Sequence, residues 1–459
     1  MRDPFDGSTP PDTNGLRLTK VKQTAAGIPA AVSSLNHGFR KMGLTKTVRT
    51  LLMVNQKEGF DCPGCAWPDP QHRTSFEFCE NGAKAVADEA MKANVNERFF
   101  RKHSIQDLLN KSDYWLNRQG RLAHPMVKRP QATHYESISW DDALELVASS
   151  IKAMDSPDRG VYYTSGRTSN EAAFLYQALV RALGSNNLPD CSNMCHESSG
   201  KALSQTIGIG KGTVHLEDFE QSELILVIGQ NPGTNHPRML TALRDAKKKG
   251  ARIVSINPLP ETGLQRFKHP QDYMSGDFHS TQLADLHIPV RIGGDAALLK
   301  GVLKILVDQQ SFDQSFIEHK TIQFEQFKQS LDEFSWNQIE QDSGIGRGII
   351  EELAQLCSGS KATIACWAMG LTQHRNGVSV IQEVVNLLLL GGHIGRPGAG
   401  LCPVRGHSNV QGDRTVGIWE APSESFIAKL EEGLNFTIPR KHGYDVCLLY
   451  TSPSPRDRG

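Results

Sequence analysis

The sequence predicts an α/β fold built on doubly wound parallel sheets, and two features of the chain support this prediction. Short apolar runs alternate with helical patterns, as in strand–crossover–strand units, whose parallel strands need a helix between them. The chain has 459 residues, which corresponds to roughly three domains of ordinary size. Folds of this kind bind ligands at the carboxyl ends of the strands, where the loops open into a crevice.

A first strand–helix unit is predicted after residue 160. Residues 161–164 form a short apolar strand, a Ser/Gly turn follows, and a helix begins near Asn170. The start of this helix carries the capping pattern Thr168-x-x-Glu171. Together these features indicate one βα unit.

The clearest unit begins with the apolar run LILVIG. This run predicts a strand at 223–229, which a loop rich in Gly, Asn and Pro follows. A basic helix then ends at Gly250, before a strand at 251–256. Strand, crossover and strand in this order predict a parallel sheet. Further strands are predicted at 286–290, with a helix through Asp308 after it, and at 363–367.

Composition excludes several classes of function. Lys plus Arg and Asp plus Glu each number 50, so no excess of positive charge favours a nucleic acid or an anionic membrane surface. No apolar run is long enough to span a bilayer, and residues 1–20 lack the pattern of a signal peptide. Nine cysteines in such a chain indicate reduced thiols that serve metals or catalysis. We therefore expect a cytoplasmic enzyme with a small-molecule substrate, no nucleic-acid partner and no membrane segment.

The two ends of the chain differ from the rest. Residues 1–57 show no clear period and predict an extended arm over the body of the protein. Residues 447–459 carry Ser-Pro repeats and mixed charge, which are typical of a non-native tail or of a disordered end.

A first candidate site lies in a cysteine-rich stretch. Cys62 and Cys65 are spaced to bind one metal centre, and Cys79 follows them. Asp69 would be a harder ligand than a thiolate, and His72 competes with it. The same CxxC spacing also suits a redox dithiol or a structural zinc site.

A second candidate site is the pair Cys195 and His196. A thiolate at a helix N-terminus is stabilised by the helix dipole, which suits a nucleophile or a metal ligand. An adjacent histidine can move a proton near neutral pH. The alternative is that Cys191 and Cys195 are small buried hydrophobic residues and that His196 is a hydrogen-bonded loop residue.

Two loops complete the set of candidates. The Gly/Asn/Pro loop at 229–237 brings backbone amides to the start of a helix, which predicts an anion cradle or a merely structural βα turn. It matches neither the dinucleotide fingerprint nor a Walker A loop. Arg405 lies in a glycine-rich loop, where it either presents its planar fork to a carboxylate or phosphate or is an ordinary surface arginine. Three further cysteines show no ligand spacing and are expected in the core: Cys357, Cys366 and Cys402.

Read together, these segments resemble the molybdopterin-dependent oxidoreductases of the dimethyl sulfoxide reductase superfamily, in particular the formate dehydrogenase alpha-subunit-like branch associated with acid resistance. The resemblance runs along most of residues 50–445 and is carried by the strings GFDCPGCAWPDP, FEFCENGAKA, YTSGRTSNEAAFLYQ, CSNMCHE, GQNPGTNHPRM and CPVRGHSNVQGDRTVG. It implies a multi-domain α/β fold around a molybdenum or tungsten ion that two molybdopterin guanine dinucleotides hold. It also implies one [4Fe-4S] cluster in an N-terminal iron–sulfur domain.

The resemblance implies a domain organisation as well. Residues 1–125 correspond to the arm and the iron–sulfur domain, and residues 191–407 to a Rossmann-like domain that binds a pterin dinucleotide. Residues 126–190 and 408–446 correspond to one discontinuous α/β domain. The C-terminal pterin-binding domain of the family is missing from this chain, so we expect the chain by itself to be inactive.

Roles for single residues follow from the resemblance. Cys195 corresponds to the metal-ligating cysteine and His196 to the proton-handling histidine. Arg405 corresponds to the arginine that holds a carboxylate-like substrate, and Lys84 to the lysine that relays electrons between cluster and pterin. His407 stands where formate dehydrogenases carry glutamine. The implied cluster ligands are Cys62, Cys65, Cys79 and, in the place of the family's third ligand, Asp69. The implied cofactor contacts are Gly229, Asn231, Pro232, Thr234, His236, Asn257, Asp295, Met369 and Gln373.

The activity that the resemblance implies is a formate dehydrogenase-like, two-electron oxidation or reduction of a small substrate. Electrons would leave through the pterin and the cluster to an unidentified acceptor or a partner redox subunit. Two other hypotheses remain at this point. One is a zinc-binding or vestigial structural module that uses Cys62, Cys65, His72 and Cys79. The other is a thiol redox protein that uses the first two of these cysteines.

Overall fold

The computed structural model describes residues 20–276 and 278–445. The predicted tail at 447–459 and the first 19 residues of the predicted arm lie outside the described residues. The strands, in chain order, are β1 (Ala25–Ala26), β2 (Asn94–Val95), β3 (Arg121–Leu122), β4 (Met126–Val127), β5 (Glu136–Ser137), β6 (Leu224–Ile228), β7 (Arg252–Ile256), β8 (Arg266–Lys268), β9 (Thr281–Gln282), β10 (Leu286–Ile288), β11 (Thr363–Trp367) and β12 (Gly400–Pro403).

Helices fill most of the remaining chain. In its first half they are α1 (Gly27–Met42), α2 (Leu44–Met53), α3 (Glu80–Glu89), α4 (Glu97–Lys102), α5 (Ile105–Leu109), α6 (Asp113–Asn117), α7 (Trp140–Lys152), α8 (Asn170–Ala182), α9 (Ser192–Cys195) and α10 (Glu197–Ile207). In its second half they are α11 (Pro232–Asn235), α12 (Met239–Lys248), α13 (Thr262–Gln265), α14 (Asp295–Asp308), α15 (Gln314–Lys320), α16 (Phe324–Asp332), α17 (Trp336–Ser343), α18 (Arg347–Gly359), α19 (Met369–Thr372), α20 (Gly377–Leu390), α21 (Val410–Thr415) and α22 (Glu424–Leu434). Short 3₁₀ helices lie at Pro157–Arg159, Leu216–Gln221 and Pro270–Ser275.

The centre of the fold is a five-stranded parallel sheet with the strand order β10-β7-β6-β11-β12. In the central strand, Leu226 pairs with Val254 on one side and with Ala365 on the other. Strand order differs from chain order, so helical crossovers connect the strands. The predicted α/β class with a parallel sheet is confirmed.

Helices cover both faces of this sheet. Successive side chains of a strand point to opposite faces, and β6 is buried along its whole length. Leu224 and Leu226 belong to one hydrophobic core, which α10, α14, α18 and α20 complete. Ile225 and Val227 belong to a second core on the other face, which includes apolar residues of α12. Burial on both sides explains why the sequence shows a continuous apolar run here.

The predicted strands of this sheet lie where the sequence placed them, with shifts of one or two residues at their ends. Residues 223–229, 251–256, 286–290 and 363–367 correspond to β6, β7, β10 and β11. The edge strand β12 was not predicted, because Gly400 and Pro403 at its two ends conceal the strand pattern.

The first predicted βα unit is only partly present. Residues 161–163 are not a regular strand, although Tyr162 donates its N–H to the Asn187 carbonyl oxygen at 3.0 Å and Thr164 forms a single bridge with Asp190. The helix α8 begins at Asn170 as predicted. Its cap is Ser169, whose Oγ accepts from the Ala172 N–H at 3.3 Å, and not the predicted Thr168.

The described part of the predicted arm is helical, so the prediction of an extended segment is wrong for it. The helix α1 buries Ser34, Gly38 and Met42, which lie four positions apart on one face. A Cβ on Gly38 would lie 2.4 Å from Cγ2 of Thr47 in α2, so the glycine permits the close approach of the two helices. Because Ser34 and Gly38 are small and not apolar, the helical period does not appear in a pattern of hydrophobic residues.

Residues 408–445 pack back onto the α8 region, although more than 200 positions separate them. Nδ2 of Asn409 donates to the Thr168 carbonyl oxygen at 2.7 Å, and Nδ2 of Asn186 donates to the Pro439 carbonyl oxygen at 2.7 Å. The predicted domain boundaries themselves stay predictions. Among the helices of the described residues, none has the length and apolar character that a membrane crossing requires.

Candidate active site

The carboxyl ends of the parallel strands carry most of the predicted site residues. Strand β6 leads into the loop at 229–236, β7 into Asn257, β11 into Met369 and β12 into Arg405. Asp295 begins α14, the helix that follows β10. Carboxyl ends of parallel strands meet at one edge of a sheet, so the fold gathers these residues there.

A cavity of about 870 Å³ opens at this edge. The predicted site residues that line it are Cys62, Cys65, Asp69, Cys79, Lys84, Cys195, Gly229, Asn231, Thr234, His236 and Met369. Those that do not line it are Pro232, His196, Asn257, Asp295, Gln373 and Arg405. Arg405 lines an adjacent cavity of about 290 Å³, which shares Trp67 and Val404 with the larger one. The structure therefore brings the N-terminal cysteines to the same space as Cys195.

Local hydrogen bonds hold the cysteine-rich stretch in place. Asn55 has a left-handed φ of 57°, accepts the Cys62 N–H on its Oδ1 at 2.8 Å, and donates to the Glu77 carbonyl oxygen at 2.6 Å. Cys79 caps α3, since its Sγ accepts from the Gly82 N–H at 3.3 Å. These contacts join the CxxC turn to the start of α3.

Two of the thiols, Cys62 and Cys79, lie close to Gly82. A Cβ there would lie 2.9 Å from Cys62 Sγ and 3.6 Å from Cys79 Sγ, so this position leaves room only for glycine. Backbone N–H groups already point at two of the sulfurs, because Gly64 donates to Cys62 Sγ at 3.3 Å just as Gly82 donates to Cys79. Such N–H···S contacts are typical of thiolates that hold an iron–sulfur cluster.

Burial raises the pKa of these thiols. The pKa of Cys62 rises to about 12, mainly through desolvation, and burial also raises the pKa of Cys65 and of Cys79. A redox dithiol needs a lowered pKa to react as a thiolate. A bound metal, by contrast, displaces the thiol protons outright. Burial thus disfavours a free thiolate, and the thiol redox hypothesis gains no support from these pKa shifts.

Asp69 lies beside the thiols, but its carboxylate is occupied. Its Oδ1 accepts from Nη1 of Arg238 at 2.6 Å, and its Oδ2 lies 3.5 Å from Nη2 of Arg73. Arg238 also pairs with Glu77 at 3.2 Å. Three thiols thus line one cavity, while the carboxylate that was predicted as the fourth ligand is paired with arginines.

His72 does not join the thiols. It lines a separate cavity of about 620 Å³, together with His269 and Arg244. Within residues 20–276 and 278–445, no group of three or more His, Cys, Asp or Glu side chains is arranged to hold a single metal ion. The structural zinc hypothesis, which needs His72 and three cysteines in one tetrahedron, gains no support from this arrangement.

Cys195 ends the short helix α9, and its side chain is 9% exposed. Burial raises the pKa of Cys195, whereas the Gly406 N–H and the positive charge of Arg405 act in the opposite direction. The helix that the sequence predicts to begin at Cys195 starts two residues later, because α10 begins at Glu197. The thiol therefore lies at the junction of two helices, facing the loop after β12.

His196 is almost completely buried, at 1% exposed. Its Nδ1 lies 2.8 Å from Ser199 Oγ, and its Nε2 lies 3.0 Å from the carbonyl oxygen of Val404. Burial, with a contribution from Arg405, lowers the pKa of His196 to about 3. The imidazole is therefore neutral in this arrangement.

Two residues that line the large cavity each carry a buried polar atom without a hydrogen-bond partner in the described part of the chain: Gln230 Oε1 and His407 Nδ1. Unpaired buried polar atoms are costly unless a ligand or water satisfies them. The loops after β6 and β11 also meet here without side chains between them, since a Cβ on Gly229 would lie 2.8 Å from the Gly370 Cα. These features fit a large polar cofactor in the cavity.

The loop at 229–237 satisfies part of its own hydrogen-bonding capacity. Asn231 caps α11, because its Oδ1 accepts from the Thr234 N–H at 3.1 Å, and its Nδ2 donates to Glu261 at 2.6 Å. Asn257 lies near the same glutamate, at 3.5 Å. The amide of Thr234 is thus already occupied, which limits the predicted anion cradle to the remaining amides.

The other predicted residues have simple surroundings. Gln373 donates to the Met194 carbonyl oxygen at 3.2 Å, next to Cys195 in the chain. Lys84 lines the cavity and pairs with Glu80 at 2.7 Å. Asp295 is 7% exposed, and burial raises its pKa to about 6.

Three residues of the site were not singled out in the sequence. Arg238 neutralises Asp69, Gln230 presents an unpaired oxygen, and Trp67 lies where three cavities meet. Arg238 lies just after the loop at 229–237, and Trp67 lies two residues after Cys65, so both occur within quoted motifs. Only their distant partners reveal what they do.

Comparison with known proteins identifies the family of this chain. The profile of the family described as molybdopterin oxidoreductase matches residues 121–434. An uncharacterized oxidoreductase of Mycobacterium tuberculosis (strain H37Rv) is 51% identical over 442 residues, which are 95% of this chain and 57% of that protein. Protein YdeP of Escherichia coli K12 is 48% identical, over 92% of this chain and 57% of its own length.

More distant relatives agree. Formate dehydrogenase H of Escherichia coli K12 is 30% identical over 65% of this chain and 40% of that protein. Acetylene hydratase from Pelobacter acetylenicus shares the fold, with a TM-score of 0.51 and 22% identity over 61% of this chain and 36% of that one. The chain thus spans little more than half the length of the curated relatives from Mycobacterium tuberculosis and Escherichia coli described above. With a family profile over most of its length and the thiols at the carboxyl edge of its sheet, the chain belongs to the molybdopterin oxidoreductase family.

Proposed function

We propose that this chain forms the metal-binding part of a molybdenum-dependent, formate dehydrogenase-like oxidoreductase that acts on a small substrate. Family membership implies a molybdenum–pterin cofactor. The observation that best supports the proposal is the cavity of about 870 Å³, which Cys195 lines together with Cys62, Cys65 and Cys79. One space therefore joins a candidate metal ligand to a candidate cluster site.

The proposed cofactors are molybdenum bis(molybdopterin guanine dinucleotide) and a [4Fe-4S] cluster. Cys195 would hold the molybdenum, and the other three thiols would hold the cluster. Gln230 and His407 line the cavity, and each carries a buried polar atom without a partner, which a pterin with many polar groups could supply. When bound, the metal–pterin group supplies the two-electron redox chemistry that amino-acid side chains lack.

Arg405 is the residue that we propose to bind the substrate. Its side chain is 9% exposed, and Nη2 donates to the Gly210 carbonyl oxygen at 3.3 Å. Its charge acts on the Cys195 thiol, so the two groups are near each other. A guanidinium fork in a mostly dry site binds a carboxylate strongly and stabilises negative charge. This supports a small anionic substrate of the formate type.

His196 is proposed to handle the proton. A carbonyl oxygen only accepts hydrogen bonds, so Nε2, which faces the Val404 carbonyl, carries a hydrogen. The other ring nitrogen, Nδ1, faces the Ser199 hydroxyl, so the ring would take a proton there once that hydroxyl turns its own hydrogen away. Lys84, which lines the cavity near Cys79, is proposed to relay electrons from the pterin to the cluster.

The proposal extends to the electron acceptor and the compartment. The acceptor or partner redox subunit would approach the cluster end of the cavity. The eight cysteines in the described part of the chain are free thiols, as expected for a protein of the reducing cytoplasm.

The test is metal analysis of the full-length protein, purified without oxygen, together with its visible spectrum. We expect molybdenum, roughly four iron atoms and a broad absorption near about 400 nm. Cys195→Ser should keep both metals, because the two pterins also hold the molybdenum, but it should lose redox activity. Cys62→Ser should lose iron. Cys357→Ser is the matched control, because this thiol is buried in α18 away from the cavity and should leave both metals unchanged.

Other outcomes would decide against the proposal. Zinc alone at one atom per chain would replace the oxidoreductase with a structural module. Full redox activity in metal-free protein that Cys62→Ser abolishes would replace it with a thiol redox protein.

A further inference from the structure

Two buried histidines form hydrogen bonds with consecutive carbonyl groups of the loop after β12. His196 Nε2 lies 3.0 Å from the carbonyl oxygen of Val404, and His236 Nε2 lies 2.8 Å from the carbonyl oxygen of Arg405. The two imidazoles are 1% and 3% exposed. They come from different parts of the sheet edge, because His196 precedes α10 and His236 follows α11. The backbone on either side of Arg405 is therefore held from two directions.

The buried carbonyl groups of Val404 and Arg405 need hydrogen-bond donors from outside the sheet. The sheet ladder ends where the Val404 N–H donates to the Trp367 carbonyl oxygen at 2.9 Å. Val404 is 4% exposed and Arg405 is 9% exposed, so the carbonyl groups of both lie away from bulk water. A buried carbonyl without a donor is costly. The histidines supply the two donors at the point where the strand can no longer do so.

The direction of each hydrogen bond near His196 is fixed by its neighbours. Nε1 of Trp367 can only donate, and it does so to Ser199 Oγ at 2.9 Å. The Ser199 hydroxyl can then donate its own hydrogen to Nδ1 of His196 at 2.8 Å. With Nδ1 accepting, the hydrogen of the neutral ring lies on Nε2, which donates to the Val404 carbonyl. A series of hydrogen bonds, each donating in the same direction, thus runs from the indole of Trp367 through Ser199 and His196 to the Val404 carbonyl.

His236 is oriented in the same way, but a different residue, Gln230, faces its second ring nitrogen. Its Nε2 donates to the Arg405 carbonyl oxygen, and its Nδ1 lies 3.4 Å from Nε2 of Gln230. Gln230 lies in the loop after β6 and is 2% exposed. Its Nε2 also donates to Sδ of Met239, the first residue of α12, at 3.1 Å. Both histidines are therefore donors whose other ring nitrogen faces a hydrogen-bond donor.

We propose that His196 and His236 are positioning residues that clamp the Val404–Arg405 backbone and so fix the guanidinium of Arg405 beside Cys195. Ser199 and Trp367 hold His196 in the donating tautomer. The purpose of the clamp rests on the proposed function, since it aligns the residue that would bind the substrate. The clamp itself is a property of the folded chain and can be measured without turnover.

The main test is hydrogen–deuterium exchange of the peptide that covers residues 402–409 in the full-length protein. His236→Leu removes the donor and keeps an apolar side chain, whereas His236→Gln places an amide N–H near the position of Nε2. We expect exchange about tenfold faster in the leucine variant and near-normal exchange in the glutamine variant. His393→Leu is the matched control, because His393 is 4% exposed but lies after α20, away from this loop.

A second measurement reads the tautomer directly. In protein with ¹⁵N-labelled histidine, the signals lost in His196→Gln identify His196, and we expect them to show hydrogen on Nε2 alone. Ser199→Ala should shift the Nδ1 signal, because this nitrogen then loses its donor. Hydrogen on Nδ1 in the parent protein would overturn the clamp, and so would unchanged exchange in His236→Leu.

Metal content of the same samples separates the two proposals. Normal molybdenum and iron with unchanged exchange in His236→Leu would overturn the clamp and leave the proposed function standing. Absence of molybdenum from the parent protein would overturn the proposed function, while faster exchange in His236→Leu, reversed in His236→Gln, would still support the clamp.

Discussion

Asp190 and Asp413 are two buried acidic residues whose carboxyl groups lie close enough to repel each other and to act on the Cys191 thiol. Their side chains are 1% and 0% exposed. Asp413 Oδ1 accepts from the Arg414 N–H at 2.7 Å, but its Oδ2 has no partner among the described residues. Burial, with repulsion from Asp190, raises the pKa of Asp413 from 3.8 to about 7. This carboxyl group therefore favours its protonated form in the folded protein.

Asp413 should make the protein less stable as the pH rises. Between pH 3.8 and about 7 the folded chain binds this proton and the unfolded chain does not, so the free energy of unfolding falls across that window and levels off above it. Asp413→Asn should remove this dependence and raise stability at pH 8 by on the order of 1 kcal/mol. Urea unfolding at pH 5 and pH 8 checks it. The exposed Asp141→Asn is the control, and an unchanged pH dependence in Asp413→Asn would contradict the assignment.

Arg238 joins the cysteine-rich stretch to the sheet domain. It pairs with Asp69 at 2.6 Å and with Glu77 at 3.2 Å, and all three side chains are at most 16% exposed. Partly buried ion pairs of this kind lose more on truncation than exposed ones, because the remaining carboxylates stay desolvated.

Arg238→Gln should loosen the stretch at 60–80. We expect a loss of about 2 kcal/mol and faster hydrogen–deuterium exchange in that peptide, with less change in β6 and β7. The control is Arg101→Gln, whose ion pair with Glu97 at 3.7 Å is mostly exposed and should contribute little. Equal exchange in the two variants would show that the ion pairs of Arg238 do not hold the stretch.

At the scale of elements, α7 turns an apolar face to solvent in the described structure. Trp140, Leu144 and Val147 are 70%, 62% and 56% exposed, and none of the residues of this helix is buried. Their spacing of four and three residues places them on one side of the helix. On α8, Leu175 and Leu179 are 68% and 57% exposed. Exposed apolar surface of this extent promotes association.

Polar substitutions on this face of α7 should reduce association without loss of fold. We expect the double variant Leu144→Glu, Val147→Lys to bind less of a hydrophobic dye and to aggregate less, while its circular dichroism stays unchanged. The contrasting control is Leu243→Glu, which places a charge on the buried face of α12 and should unfold the chain. Dye binding equal to that of the parent chain would show that this face is covered in solution.

At the scale of the whole molecule, Arg181 ties two distant stretches together. Its guanidinium donates to the carbonyl oxygens of Gly417 and Trp419 at 2.8 and 3.1 Å, and to Gln177 at 2.7 Å. The side chain is 1% exposed, and burial lowers its pKa to about 10. Five donors in a rigid fork suit this role, because one side chain satisfies several buried acceptors.

Arg181→Met should release the segment at 416–445 from α8. We expect a loss of about 2 to 3 kcal/mol, since buried carbonyl groups lose charge-assisted hydrogen bonds. Pulse proteolysis in urea checks this loss, and the fragments should begin in that segment. Arg159→Met is the control, because the Arg159 ion pair with Asp155 is exposed. Cleavage that begins elsewhere would argue against the tie.

Local patterns were sufficient for the central sheet and for the family. Strands β6, β7, β10 and β11 appear in the sequence as apolar runs because both faces of a parallel sheet are buried. The ordered motifs around Cys62, Cys195 and Arg405 indicate the family, which the family profile bears out. The helices at 20–57 were not predicted, because the buried face of α1 carries Ser34 and Gly38 where an apolar period would be expected.

The sequence by itself determined the α/β class, most strands of the main sheet and the family. Only the tertiary structure decided what the site residues contact: Asp69 meets Arg238, which lies 169 positions away, and His196 meets the Val404 carbonyl, 208 positions away. The physical reason is that burial leaves a periodic trace along the chain, whereas a hydrogen bond or ion pair between distant residues leaves none. A carboxylate that looks like a metal ligand in sequence can therefore be the partner of an arginine in the fold.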